Sequence, residues 1–167
     1  MKRAAQLTRF DFGILYLVIL PALIWAAAWL ATDVTRHLNV SAMRIADVQE
    51  GEPIHMDMVR TISGHWHGAY RVTIRNVDGG YMVCTTGDTP ILFSQSNKDG
   101  TPRLLPDPVT LKWWADGGTC SDDLAGNTLP VGTYSVETCH ARRYLLAFYK
   151  WHCWPNVPIF EVRERAA

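Results

Sequence analysis

The strongest pattern in the chain is a hydrophobic run over residues 12–31 that contains no charged residue. A helix of about 20 residues that rises ~1.5 Å per residue matches the ~30 Å hydrocarbon core of a bilayer. A buried helix of a soluble protein is the alternative, but such a helix normally carries a polar stripe. We therefore predict a transmembrane helix over residues 12–32.

The residues around this run predict its orientation. Lys2, Arg3 and Arg9 precede it, and basic residues are retained on the cytoplasmic side of a membrane. Residues 1–11 are then cytoplasmic, and the bulk of the chain is exported. Residues 26–28, three alanines, are similar to a signal-peptidase site. The run is nevertheless longer than the ~7–15 residues typical of a signal peptide, which favours an uncleaved signal anchor.

After the run the pattern changes to the alternation of half-buried β-strands. Apolar and polar residues alternate over residues 70–75 and, less regularly, over residues 53–62. Residues 78–80, Asp-Gly-Gly, supply a hairpin turn between strands. Residues 33–52 form a membrane-proximal stalk or a first strand, and residues 53–167 are predicted to form one extracytoplasmic domain.

Shorter apolar segments, separated by turn residues, predict the remaining strands at residues 81–85, 91–93, 109–114, 134–139 and 157–163. No helical pattern follows residue 31. Six to eight short strands with frequent turns are typical of an antiparallel sandwich or small barrel. We predict a mainly β fold, with an immunoglobulin-like β-sandwich as the favoured form.

Charge and aromatic content narrow the class of partner. Acidic and basic residues are equal in number, 16 each, so the chain lacks the broad positive field that nonspecific nucleic-acid binding requires. Seven Trp and six Tyr suit a sheet-built domain and a protein interface.

All four cysteines follow the hydrophobic run, where an oxidising compartment favours two disulfides. A zinc site is the alternative, but structural zinc normally uses closely spaced cysteine pairs. Four cysteines allow three pairings. Alternation along residues 134–139 directs Cys139 away from the core, which favours a bridge to the returning strand at Cys153. Cys84 would then pair with Cys120.

Residues 129–136 resemble the start of the penultimate strand of immunoglobulin-like and fibronectin-like domains, where a Tyr fixes the corner. Cys139 lies five residues after Tyr134 rather than two, which departs from the antibody-type bridge. The apolar run, with residues 66–73 and 134–139, is similar to short membrane-anchored proteins encoded by proteobacterial phages and prophages. That resemblance implies the topology described above and no particular activity.

Aromatic and basic residues are concentrated between Cys139 and Cys153. A bridge between these cysteines would pin a hairpin that carries them, and Tyr, Trp and Arg dominate binding hot spots. The candidate partner-binding residues are Arg142, Arg143, Tyr144, Tyr149 and Trp151. The alternative is that this segment extends two core strands.

A metal site is a second candidate. His65 and His67 share one face if they lie in a strand, and His55 precedes them in a Met-containing segment. Extracytoplasmic copper prefers such ligands. The alternative is that these histidines are ordinary exposed residues of strands and turns.

No nucleophile elbow, zinc-protease helix, phosphate loop or close carboxylate pair occurs in the sequence. We therefore predict a non-enzymatic accessory or interaction protein of the bacterial inner membrane, with its C-terminal domain in the periplasm. It would use no cofactor, and would contact the bilayer and another membrane or envelope protein or a second copy of itself. An extracytoplasmic copper-binding module and an enzyme acting on envelope polymers are the alternatives.

Overall fold

The apolar N-terminal segment is helical in the computed structural model, which describes residues 15–31, 33–95, 106–144 and 148–165. A π-helical segment, Leu15–Ile19, continues into α1, Leu20–Ala31, and a 3₁₀ turn follows at Val34–Arg36. Within the described ranges, no helix has both the length and the apolar character needed to cross a membrane. The predicted cytoplasmic residues 1–11, and residues 12–14 and 32 of the predicted span, lie outside the described residues.

The prediction of a mainly β fold is confirmed. The described residues after α1 form ten strands and two short helices. The strands are β1 Leu38–Ile45, β2 Val48–Gln49, β3 His55–Ile62, β4 His65–Asn76, β5 Met82–Thr85, β6 Thr89–Ser94, β7 Val109–Thr110, β8 Gly132–Tyr144, β9 Phe148–Cys153 and β10 Ile159–Arg163. The helices are α2 Leu111–Trp114 and α3 Cys120–Asp123.

The strands form two sheets. The smaller sheet has the order β1-β3-β7, and the larger has the order β2-β10-β8-β4-β5, with β6 also paired to β4 and β9 also paired to β8. The long strands β4 and β8 lie side by side over nine residue pairs at the centre of the larger sheet. The β2–β10 pair is parallel, so the expectation of a purely antiparallel fold is wrong at that edge.

One hydrophobic core receives side chains from both sheets. Leu38 and Met56 come from the smaller sheet, while Ile74, Val136 and Phe160 come from the larger one. Alternation explains this arrangement, because even-numbered residues of β4 and β8 face inward along their shared length.

Residues 33–52, predicted as a stalk or a first strand, contain a strand that belongs to the domain. β1 pairs with β3 from Leu38 to Ile45, with one register shift between Val40 and Ala42. The domain therefore begins close to the end of α1.

The predicted strand at residues 109–114 is wrong beyond its first two residues. The Thr110 hydroxyl accepts a hydrogen bond from the Trp113 backbone N–H at 3.2 Å and caps the helical turn α2. A capping threonine satisfies one of the amides that a helix start leaves without a partner, so the chain turns out of the sheet there.

Both predicted disulfides form. Cys84–Cys120 joins β5 to α3 in the buried core, and Cys139–Cys153 joins directly opposed residues of β8 and β9. The second bridge lies on the face of β8 away from the core, as the strand alternation predicted.

Candidate functional site

The β8–β9 hairpin has two faces that contact different parts of the molecule. Its residues pair directly from Cys139–Cys153 to Tyr144–Phe148. His140, Arg142, Lys150 and His152 share the inner face, which we define as the face that carries the buried His140. The outer face carries the disulfide and every second residue in between.

The inner face contacts the end of α1 through Lys150. Its ammonium group donates to the Trp29 carbonyl at 3.2 Å and lies 4.6 Å from the Trp29 ring centre. It also lies 3.7 Å from a carboxylate oxygen of Asp33. The last four carbonyls of a helix lack partners within the helix, so a lysine donor is well placed there.

Local hydrogen bonds keep Asp33 charged for this contact. The hydroxyl and backbone N–H of Thr35 donate to the same Asp33 oxygen at 2.8 and 3.1 Å. These bonds, and then the nearby charge of Lys150, hold the pKa of Asp33 below its ordinary value. The ion pair is partly exposed, so its contribution to stability is modest.

A second contact on the inner face joins Arg142 to the His37 imidazole, next to the 3₁₀ turn. Burial and then the charge of Arg142 lower the pKa of His37, so this imidazole is neutral and can accept from the guanidinium. The inner face of the hairpin is therefore occupied by contacts within the chain.

The outer face presents an aromatic and basic surface, which we call the platform: Arg71, Arg143, Tyr149 and Trp151. The Arg71 guanidinium lies 4.7 Å from the Trp151 ring centre, and the Tyr149 and Trp151 rings are 6.3 Å apart. Asp88 pairs with Arg71 and holds its side chain in this position. On the outer face of β8, the small residue Ala141 follows Cys139 and precedes Arg143, and it lies directly opposite Trp151 of β9.

The predicted partner-binding residues are therefore divided between the two faces. Arg143, Tyr149 and Trp151 lie on the platform, whereas Arg142 lies on the inner face. Tyr144 ends β8, but its side chain lies outside the described residues. Arg71, a residue of β4, completes the platform. It lies opposite Cys139 of β8, and this pairing depends on a strand register that the sequence does not reveal.

The predicted metal ligands lie on different sheets. His55 starts β3 in the smaller sheet, while His65 and His67 lie on the outer face of β4. The Ser94 hydroxyl lies 2.6 Å from His65 Nδ1. Within the described ranges, the only group of three close candidate ligands is Glu137, Cys139 and Cys153, whose sulfurs are joined in a disulfide.

Sequence reasoning missed a cavity of about 220 Å³ whose lining includes Arg60, Trp113, Trp114 and His140. His140 has the same parity in β8 as the inward residues Tyr134 and Val136. That parity could have revealed it as a histidine directed into the core. The helical turn that brings Trp113 and Trp114 to the cavity could not be read from the same pattern.

Comparison of the chain with protein-family models, with curated proteins and with solved structures finds no match in any of the three.

Proposed function

We propose that this chain is a non-enzymatic, single-pass membrane protein whose disulfide-stabilised domain binds another membrane or envelope protein through the platform. The observation that carries the proposal is the division of the β8–β9 hairpin. Its inner face contacts the end of α1, and its outer face presents arginine and aromatic side chains. Such a hairpin holds a binding surface at a fixed position beside the anchor.

The exposed surface of the N-terminal helix supports an anchor in the bilayer. Leu17 is 79% exposed, and Leu23, Ile24 and Trp25 are also more than half exposed. Contiguous apolar surface of this kind is costly in water, at about 25 cal/mol per Å². Insertion of residues 12–32 into a bacterial inner membrane, with residues 1–11 cytoplasmic, would remove that cost.

Two features support a periplasmic, immunoglobulin-like sandwich. The two disulfides are compatible with an oxidising compartment. The Tyr134 hydroxyl donates to the Pro130 carbonyl at 2.9 Å, which is the type of bond that fixes the tyrosine corner of immunoglobulin-like domains.

The chemistry of the platform defines the kind of partner. Tyr149 and Trp151 supply apolar area and Arg143 supplies a planar group of hydrogen-bond donors, a combination that recurs at hot spots. Arg143 is exposed, and a guanidinium can bind a carboxylate through two parallel hydrogen bonds. The partner is therefore expected to offer an apolar recess with a carboxylate beside it.

Crosslinking in native membranes tests this proposal. The double variant Arg143→Ala/Tyr149→Ala should reduce the yield of the crosslinked complex by about tenfold or more, because truncation of hot-spot residues costs roughly 2 kcal/mol or more. Arg44→Ala/Tyr81→Ala is the matched control, since it removes an exposed arginine and an exposed tyrosine from other strands and turns. Equal loss in both variants, or no loss in either, would reject the platform as the binding surface.

The anchor has a separate test. Extraction of membranes at alkaline pH removes peripheral proteins, and the full-length chain should remain in the membrane pellet. Protease should reach the domain only after the outer membrane is opened. Recovery of the intact chain in the soluble fraction would contradict the anchor without deciding the role of the platform.

A further inference from the structure

The cavity near His140 has walls of two kinds. Ile91, Phe93, Trp113 and Trp114 supply apolar and aromatic surface, whereas Arg60 and His140 supply hydrogen-bond donors. His140 packs between the rings of Phe93 and Trp114, with ring centres 5.6 and 5.9 Å away. The site is lined by residues of both sheets and of α2, and it lies apart from the platform.

His140 offers one defined polar atom to this cavity. The Trp154 indole N–H, which can only donate, lies 2.8 Å from His140 Nδ1, so that nitrogen accepts and carries no proton. The ring is only 1% exposed, and burial favours its neutral form. The proton therefore resides on Nε2, and Nε2–H is the donor that remains for a ligand.

Arg60 places a cation at the aromatic wall. Its guanidinium carbon lies 5.9 Å from the Trp113 ring centre and 5.8 Å from the Trp114 ring centre. A guanidinium has five N–H donors in one plane, so it can serve several partners at once, and a carboxylate can be one of them. Its positive charge, close to the imidazole, disfavours a metal cation at this place.

Asp116 limits the orientation of any anion in the cavity. The Tyr70 hydroxyl donates to the Asp116 backbone carbonyl at 2.6 Å, and the Ser121 hydroxyl lies 3.4 Å from the Asp116 carboxylate. An anionic ligand would keep its charge at Arg60 and away from this carboxylate.

The volume of the cavity sets the size of the ligand. An engineered apolar cavity of roughly 150 Å³ accommodates benzene. A cavity of about 220 Å³ therefore has room for one six-membered ring with small substituents. Aromatic walls favour a flat ring, which can stack or meet them edge to face.

We propose that this cavity binds a small monocyclic aromatic anion, with its carboxylate at Arg60 and a hydrogen-bond acceptor at His140 Nε2. The acceptor and the carboxylate would be separate substituents of the ring, because Arg60 and His140 are separate residues of the cavity lining. This binding site is independent of the partner-binding role proposed for the platform.

Titration calorimetry of the full chain in detergent micelles, with three probes, tests the site. 4-Hydroxybenzoate has both polar groups, benzoate lacks the phenolic oxygen, and phenol lacks the carboxylate. We expect 4-hydroxybenzoate to bind about tenfold or more tightly than either of the others, since a hydrogen bond to a charged or buried group is worth about a factor of ten. Equal affinity of all three probes, or no saturable binding of 4-hydroxybenzoate at millimolar concentration, would overturn the proposal.

A variant assigns the carboxylate to its partner. In Arg60→Gln the preference for 4-hydroxybenzoate over phenol should disappear, while in the control Arg44→Gln it should persist, because Arg44 does not line this cavity. The ¹⁵N resonance of His140 Nε2 in the unsubstituted protein gives a readout that does not depend on a variant folding. It should shift with 4-hydroxybenzoate and not with benzoate, and an unchanged resonance would also overturn the proposal.

Discussion

The two faces of the β8–β9 hairpin differ in what their side chains contact, although their residues alternate along the same two strands. On the inner face, Lys150 and Arg142 contact the end of α1 and His37, and His140 is buried among aromatic rings. On the outer face, Arg143 and Tyr149 lie directly opposite each other across β8 and β9, and Arg143 is exposed. A two-residue period thus gives one strand pair a face that contacts the rest of the chain and a second face to which we assign the proposed binding role.

The Cys139–Cys153 disulfide closes the hairpin that carries both faces, so its removal should have the largest effect. Cys139→Ala/Cys153→Ala opens a loop with a sequence separation of 14 and should lower the free energy of unfolding by about 3 kcal/mol. Denaturant unfolding in micelles measures this, with Cys84–Cys120 intact in both proteins. A loss below about 1 kcal/mol would mean that the hairpin is held mainly by its other contacts.

Acidification should have the second-largest effect on the free energy of unfolding, because it acts on His140 of the inner face. Burial, then the charges of Arg60 and His152, lower the pKa of His140 from 6.5 to about 3. Between these values the unfolded chain binds a proton that the folded chain does not, so stability is greatest above pH ~6.5 and declines towards pH ~3. The free energy of unfolding should fall by about 2 kcal/mol from pH 7 to pH 5 on this account.

His140→Gln isolates this effect, because it removes the buried imidazole. The slope of stability against pH should flatten in His140→Gln, and His55→Gln is the control for an exposed histidine on β3. An equal slope in His140→Gln and the unsubstituted chain would show that other groups govern acid sensitivity.

A smaller effect is expected at the contact with α1. Lys150→Met removes the donor to the Trp29 carbonyl and the ion pair with Asp33, for a loss of about 1 kcal/mol or less because the pair is partly exposed. Hydrogen exchange should accelerate at the amides of residues 29–37. Lys112→Met is the matched control, since Lys112 donates to the Ala125 carbonyl elsewhere in the domain.

The smallest effect on stability is expected at Arg143, an exposed side chain of the outer face. Arg143→Ala should change the free energy of unfolding by about 0.5 kcal/mol or less, because substitutions of exposed side chains usually change stability by no more than this. A melting curve compared with that of Lys150→Met measures the difference. If Arg143→Ala is the more destabilising of the two, the assignment of roles to the faces is reversed.

Alternation predicts most of the strands and the Cys139–Cys153 bridge, and the Cys84–Cys120 bridge follows because only these two cysteines remain. The parity of Cys139 in β8 was enough to select its bridge to Cys153. The full platform could not be predicted from these patterns. Arg71 comes from β4, and it reaches Trp151 only because of the register between β4, β8 and β9. The turn at Leu111 was missed because one capping hydroxyl at Thr110 overrides a strand-like composition.

A photo-crosslinking scan along β9 in native membranes distinguishes the two faces of the hairpin, with a photoreactive amino acid placed in turn at positions 149, 150, 151 and 152. We expect adducts to a partner protein from positions 149 and 151, which lie on the outer face, and none from positions 150 and 152. Partner adducts of equal yield from all four positions, or only from 150 and 152, would contradict this expectation.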